Sequence, residues 1–201
     1  MLEKNETTQH LASVALDLFM AQGIKKTSMQ EIADHAGLSR MTLYRYFVDR
    51  KQATKAAFDL VLEDLRSAID HLPEPMQIST LVNSLVHSLA ELPRGDFPGR
   101  LEEFFRLYPE EFNLFEQQRK QLIKTLTQRV VEDAEAKGLL RPGLNRQVIN
   151  AYFETAVVNI LMNPGLISEN LPPDEVFETV TNIFLFGILK KEENNEKDIP
   201  N

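Results

Sequence analysis

The sequence predicts an all-α protein, and three observations predict it. Apolar residues recur at three- and four-residue spacing through most of the 201 residues. Pro and Gly clusters punctuate those periodic stretches and stop each helix in turn. No alternating apolar–polar run of useful length competes for a strand.

Composition sets the outer bounds. Hydrophobic residues make up 43% of the chain, enough for a substantial core. The absence of cysteine excludes disulfides, thiolate metal sites and cysteine nucleophiles, and fits a reducing cytoplasm. No charged-then-apolar leader opens the chain, and apolar runs such as Ile183–Leu189 are far too short to span a bilayer. The net charge of −8 argues against a nucleic-acid partner until its distribution is considered. Residues 1–55 carry eight Lys/Arg against six Asp/Glu, a balance of +2; the rest carry fourteen against twenty-four, a balance of −10. Phosphate attraction depends on where the cations sit, so a mildly basic head on an acidic body suits contact at one end.

Residues 1–6 read as a loose arm. In the first helix Leu11, Ala15, Leu18, Phe19 and Gln22 share a face, and Gly23 closes it. Ser28 and Glu31 stand at capping-box spacing and start a second helix, with Met29, Ile32, Ala33 and Ala36 inward. Gly37 stops it, and Ser39 caps a third, short helix whose Leu43 and Phe47 point inward. Arg40, Met41, Thr42, Tyr44, Arg45 and Tyr46 are left for the other faces. Two short helices about a tight turn, the second offering cations, hydroxyls and phenols, form a helix-turn-helix. The blander alternative is an αα-corner facing only water.

From Thr7 to Asp59 the chain resembles the DNA-binding domain of the TetR family of bacterial repressors. The resemblance runs through LASVALDLFMAQGIKKTSMQEIADHAGLSRMTLYRYFVDRKQATKAAF, with Ile-Ala, Ala-Gly-Leu-Ser and Thr-Leu-Tyr-Arg-Tyr-Phe in order. It covers about the first quarter of the chain. It implies DNA contacts from Ser28, Ser39, Arg40, Met41, Thr42, Tyr44, Arg45, Tyr46, Arg50 and Lys51. The sequence departs from the family pattern in three places. Met41 replaces a small residue and puts base-by-base inference in doubt. Arg50, followed by Lys51, stands where a phosphate-contacting Lys is usual. Ala53 replaces a Leu and thins the packing under the next helix.

That next helix starts at Asp49 and Gln52, which form a second capping-box-like pair, and runs to about His71. Phe58, Leu62, Leu65, Ile69 and Leu72 form its seam, and Pro73 and Pro75 end it. It links head to body without a hinge. A body helix follows from Ile78 to Leu92, then a loop from Pro93 through Gly99. A short helix from Arg100 to Tyr108 and a long one from Glu110 to Lys137 precede a loop from Gly138 to Asn145. The last two helices, 146–162 and the one after Pro172-Pro173, are apolar over more than one stripe. Such a pair fits either a monomer core or a homodimer four-helix bundle; the resemblance implies the latter. Tyr152, Ala156, Ile160, Val180, Phe184, Gly187 and Ile188 are the expected interface. Residues 192–201 read as a disordered tail.

No enzymatic constellation is visible. His10, His35, His71 and His87 show no metal-ligand spacing, and the eight glycines form no phosphate loop. The pairs Glu102-Glu103 and Glu110-Glu111 read as solvated faces. No catalytic residue, metal or cofactor is expected. Six aromatics crowd between Phe97 and Phe115, and Asn159 sits in an apolar run. Core packing explains each of these singly. The resemblance favours an effector pocket, with Leu85, His87, Leu89, Phe104, Phe105, Tyr108, Phe112, Tyr152 and Asn159 as its candidates.

The resulting expectation is a three-helix head over 7–55, an effector-binding and dimerisation body of about six helices over 56–191, and the tail. It is a cytoplasmic, nucleoid-associated repressor, a homodimer on palindromic double-stranded operator DNA, with no membrane partner, released by a small, mainly apolar effector. An effector-independent factor with a nucleoid or cell-division role, and a helical protein-interaction module, are the alternatives.

Overall fold

The computed structural model describes residues 2–71, 97–161 and 173–188. Among them are eight helices and no strand. Helix α1, Leu2–Gln22, begins at the start of the chain, so the expected loose arm is instead its first turn. It buries Leu11, Ala12, Ala15, Leu16, Phe19 and Met20. Gly23 ends it at φ 98°.

Helix α2, Met29–His35, is opened by the expected capping box. Ser28 Oγ accepts from Glu31 N–H at 3.2 Å, and the Glu31 carboxylate accepts from Ser28 N–H at 2.7 Å. Its end is a Schellman turn: Gly37, at φ 68°, donates to Asp34 O, and Leu38 N–H reaches back to Ala33 O at 2.9 Å. Helix α3 is a single turn, Arg40–Leu43, continued by further backbone bonds as far as Phe47; Leu43 and Phe47 are buried as expected.

Helix α4, Arg50–Asp70, is capped by Asp49, whose carboxylate accepts from Gln52 N–H at 2.9 Å. The Gln52 side-chain oxygen accepts from Val48 N–H, one residue beyond the cap that a true capping box would reach. Phe58, Leu62 and Ile69 are buried on the predicted seam. Its last turn is held by Arg129, which donates to Ile69 O at 2.7 Å.

Helix α5, Phe97–Leu107, starts three residues before the predicted Arg100 and includes Pro98 and Gly99. A proline in the first helical turn loses no hydrogen bond, because those amides lack intrahelical acceptors anyway. Helix α6, Pro109–Ala136, has its proline at the first helical position, and Tyr108 makes the corner. Helices α7, Arg146–Leu161, and α8, Pro173–Ile188, pack together, and α7 packs on α6. The loop before α7 caps α8: Arg141 donates to Ile188 O at 2.9 Å and to Gly187 O at 3.1 Å. The predicted 78–92 helix, the 93–96 loop and the 192–201 tail lie outside the described residues.

One apolar core runs unbroken from the head into the body. It includes Leu11, Phe19, Ile32, Leu43 and Phe58 and continues through Leu101, Phe104 and Phe115. Phe58 of α4 stacks on Phe104 of α5 with centroids 4.6 Å apart, and Phe115 of α6 meets it edge-on at 5.6 Å.

Candidate nucleic-acid interface

The outer face of the helix-turn-helix is set by what its inner face buries. With Leu43 and Phe47 in the core, Arg40, Met41, Tyr44 and Arg45 are exposed, Met41 at 78%. Arg40 and Tyr44, one turn apart, interact. The guanidinium lies 5.5 Å from the ring centre and donates to the phenol oxygen at 3.4 Å. Thr42 and Tyr46 are half-buried. Both hydroxyls predicted at the helix starts are engaged as caps: Ser28 as above, and Ser39 with Thr42 N–H at 3.0 Å and the Thr42 hydroxyl at 2.8 Å.

The two cations after α3 point in different directions. Arg50 turns inward, its Nη1 donating to Lys25 O at 2.8 Å and Thr27 O at 3.1 Å. Its Nη1 thus ties the start of α4 to the turn before α2, a role the sequence does not announce. Lys51 stays half-exposed and pairs with Glu111 of α6 at 3.0 Å. The pairing lifts the Lys51 ammonium above its usual range and holds the Glu111 carboxyl below its own.

The same turn before α2 is gripped from the body side. Glu103 of α5 accepts from Ile24 N–H at 2.9 Å and Lys25 N–H at 2.8 Å, and pairs with Arg100 at 2.9 Å. Burial pushes the Glu103 carboxyl up, but the two amides and Arg100 outweigh it and hold it below the usual carboxylate range. Gly23 admits this grip: a Cβ there would stand 2.5 Å from Arg100 Nη1. By sequence both Glu pairs read as solvated faces. That holds for exposed Glu102, beside Arg106 at 3.5 Å, but not for Glu103 or Glu111. Nothing local marks them, since their partners lie 79 and 60 residues away in the chain.

Of the expected pocket residues, Phe104, Phe105, Tyr108, Phe112 and Tyr152 have described side chains. Phe104 is fully buried in the head–body joint, with Phe112 edge-on at 5.7 Å, and Tyr108 makes the α5–α6 corner. Phe105 is half-exposed and meets Phe112 at 5.3 Å. Tyr152 is 52% exposed. Leu85, His87 and Leu89 lie outside the described residues, as do the side chains of Ala156, Asn159, Ile160 and Phe184.

On α8 the expected interface residues fall on more than one face. Val180 and Ile188 are buried within the chain itself, whereas Ile183 and Phe186 are exposed, Phe186 at 78%. On α7, Val148 and Tyr152 are exposed in the same way, and Gly187 is open to solvent.

A doubly capped helix-turn-helix with a cationic, aromatic outer face, carried on a helical body, defines a helix-turn-helix protein of two joined parts. Residues 11–53, within the head, match the family described as bacterial regulatory proteins, tetR family. Over 75 residues the chain is 31% identical to the regulator MftR of Mycobacterium tuberculosis, covering 37% of this chain and 38% of that protein. AcrR of Shigella flexneri, an HTH-type transcriptional regulator, is 41% identical over 58 residues, 29% of this chain and 27% of that one. Each match thus spans less than two fifths of the relative's length. The solved SmeT–triclosan complex has a TM-score of 0.64 at 16% identity over 98% of each chain, and shares the fold. The relatives matched are transcriptional regulators. Among the described residues no helix is long and apolar enough to cross a membrane.

Proposed function

We propose that this chain is a sequence-specific DNA-binding transcriptional regulator, a repressor acting in the cytoplasm on double-stranded operator DNA and not an enzyme. The observation that carries the reading is the outward face of α3, where Arg40, Met41, Tyr44 and Arg45 stand clear of a core that fixes the helix behind them. Arginines on a recognition helix read guanine edges, and an exposed methionine suits a thymine methyl. The division into a 7–55 head and a 56–191 body is part of this reading, with α4 shared between them.

A homodimer through α7 and α8 would set two heads about 34 Å apart, one turn of DNA, on a pseudo-palindromic site. The exposed Val148, Tyr152, Ile183 and Phe186 support that interface. Selection of bound duplexes from a random library tests the whole reading. It should return inverted half-sites, and Arg40→Ala or Arg45→Ala should relax one position at a cost of roughly 1–3 kcal/mol. Identical selected sites from wild type and both variants would defeat it.

Release by a small, mainly apolar effector is the regulatory part of the proposal, supported by the likeness of the body to a fold solved with triclosan in SmeT. An effector-independent regulator is the second reading, and the close stacking of Phe58, Phe104 and Phe115 favours it. A compound screen for release of the selected duplex separates the two.

A further inference from the structure

We propose that Glu111 is a built-in competitor for DNA phosphate at Lys51, so that the body sets the head's affinity for DNA through one ion pair. The inference rests on the DNA-binding reading above. Lys51 is the second residue of α4, directly after the recognition segment. Its neighbour Arg50 is committed to the carbonyls of Lys25 and Thr27, which leaves Lys51 as the half-exposed cation of that turn. Its partner does not come from the head. Glu111 stands in the first turn of α6, with a side chain only 17% exposed, and reaches the ammonium at 3.0 Å.

To an ammonium, a carboxylate and a phosphate are the same kind of ligand, an oxyanion at hydrogen-bond distance. A phosphate approaching Lys51 therefore meets a charge already neutralised, and contact requires that Glu111 be displaced. The carboxylate is tied to α6 and the ammonium to α4. A shift between those helices lengthens or shortens the pair, and changes DNA affinity without altering α3.

The test uses the full chain and a duplex of random sequence, with affinity measured across a salt series. Glu111→Gln should bind about two- to fivefold more tightly per head, the range of an exposed ion pair. Lys51→Ala should bind more weakly, with a salt slope lower by about one unit per head. Adding Glu111→Gln to Lys51→Ala should then change nothing further. Glu110→Gln removes the same charge one residue away and should give a smaller gain. Equal gains from Glu110→Gln and Glu111→Gln, a gain that survives in the double variant, or no gain at all would each overturn the proposal. Failure of the wild type to retain DNA in a salt-dependent way would instead sink the DNA-binding reading, and this inference with it.

Discussion

Arg50 shows how one side chain can change role between sequence and structure. By position it stands for a phosphate contact; by geometry it ties the turn before α2 to the start of α4. Arg50→Ala should therefore leave the salt slope of DNA binding unchanged and cost about 1–3 kcal/mol in urea unfolding, from two carbonyls left without their donor. Gly23 and Gly37 give a matched pair. Both have positive φ, but a Cβ at Gly37 meets nothing within 4 Å, whereas at Gly23 it meets Arg100. Gly37→Ala should cost about 1–2 kcal/mol, the left-handed penalty alone. Gly23→Ala should cost more, because Arg100 must also leave Glu103. The glycines themselves were legible, since each follows a periodic stretch; the guanidinium waiting over one of them was not.

At the scale of elements, the helix starts were the most legible feature, because capping is local chemistry three residues long. Ser28, Ser39 and Asp49 all cap as read. The face of α8 was not legible. Val180, Ile183, Phe186 and Ile188 are all apolar, so periodicity alone could not say which pair turns inward. The burial pattern makes separate predictions for the two faces. Phe186→Glu or Ile183→Glu should yield a folded monomer by sedimentation with operator affinity lost. Val180→Glu should lower thermal stability instead, because the charge would be buried within the subunit. The α5 grip on the head carries a pH dependence. The Glu103 carboxyl is depressed in the folded state, so its stabilisation is present above about pH 4.3 and is lost as pH falls through the lower folded value. Acid unfolding followed by circular dichroism should be less steep for Glu103→Gln, starting from a less stable protein at neutral pH.

At the scale of the molecule, the acidic body and basic head were visible in the charge count, and their joint was not. The sequence marks α4 as the link because a seam can be followed along it. It does not show that Glu111 and two phenylalanine rings of α5 and α6 come back to that link, or that Glu103 of α5 reaches the turn before α2. Those contacts join residues 46 to 79 positions apart, and depend on a corner at Tyr108 that only the folded chain supplies.

The unbroken core from Leu11 to Phe115 bears on how such a protein could be recombined. A head transplanted at residue 55 would leave behind Phe58, Leu101, Phe104 and Phe115, and its own inner face would open to water. On the proposed DNA-binding function, the heritable unit of recognition is therefore longer than the segment expected to touch DNA. A working graft would have to carry residues 1–115 together, so an exchange of operator specificity by swapping the first quarter alone should yield chimaeras that aggregate rather than chimaeras that bind a new site.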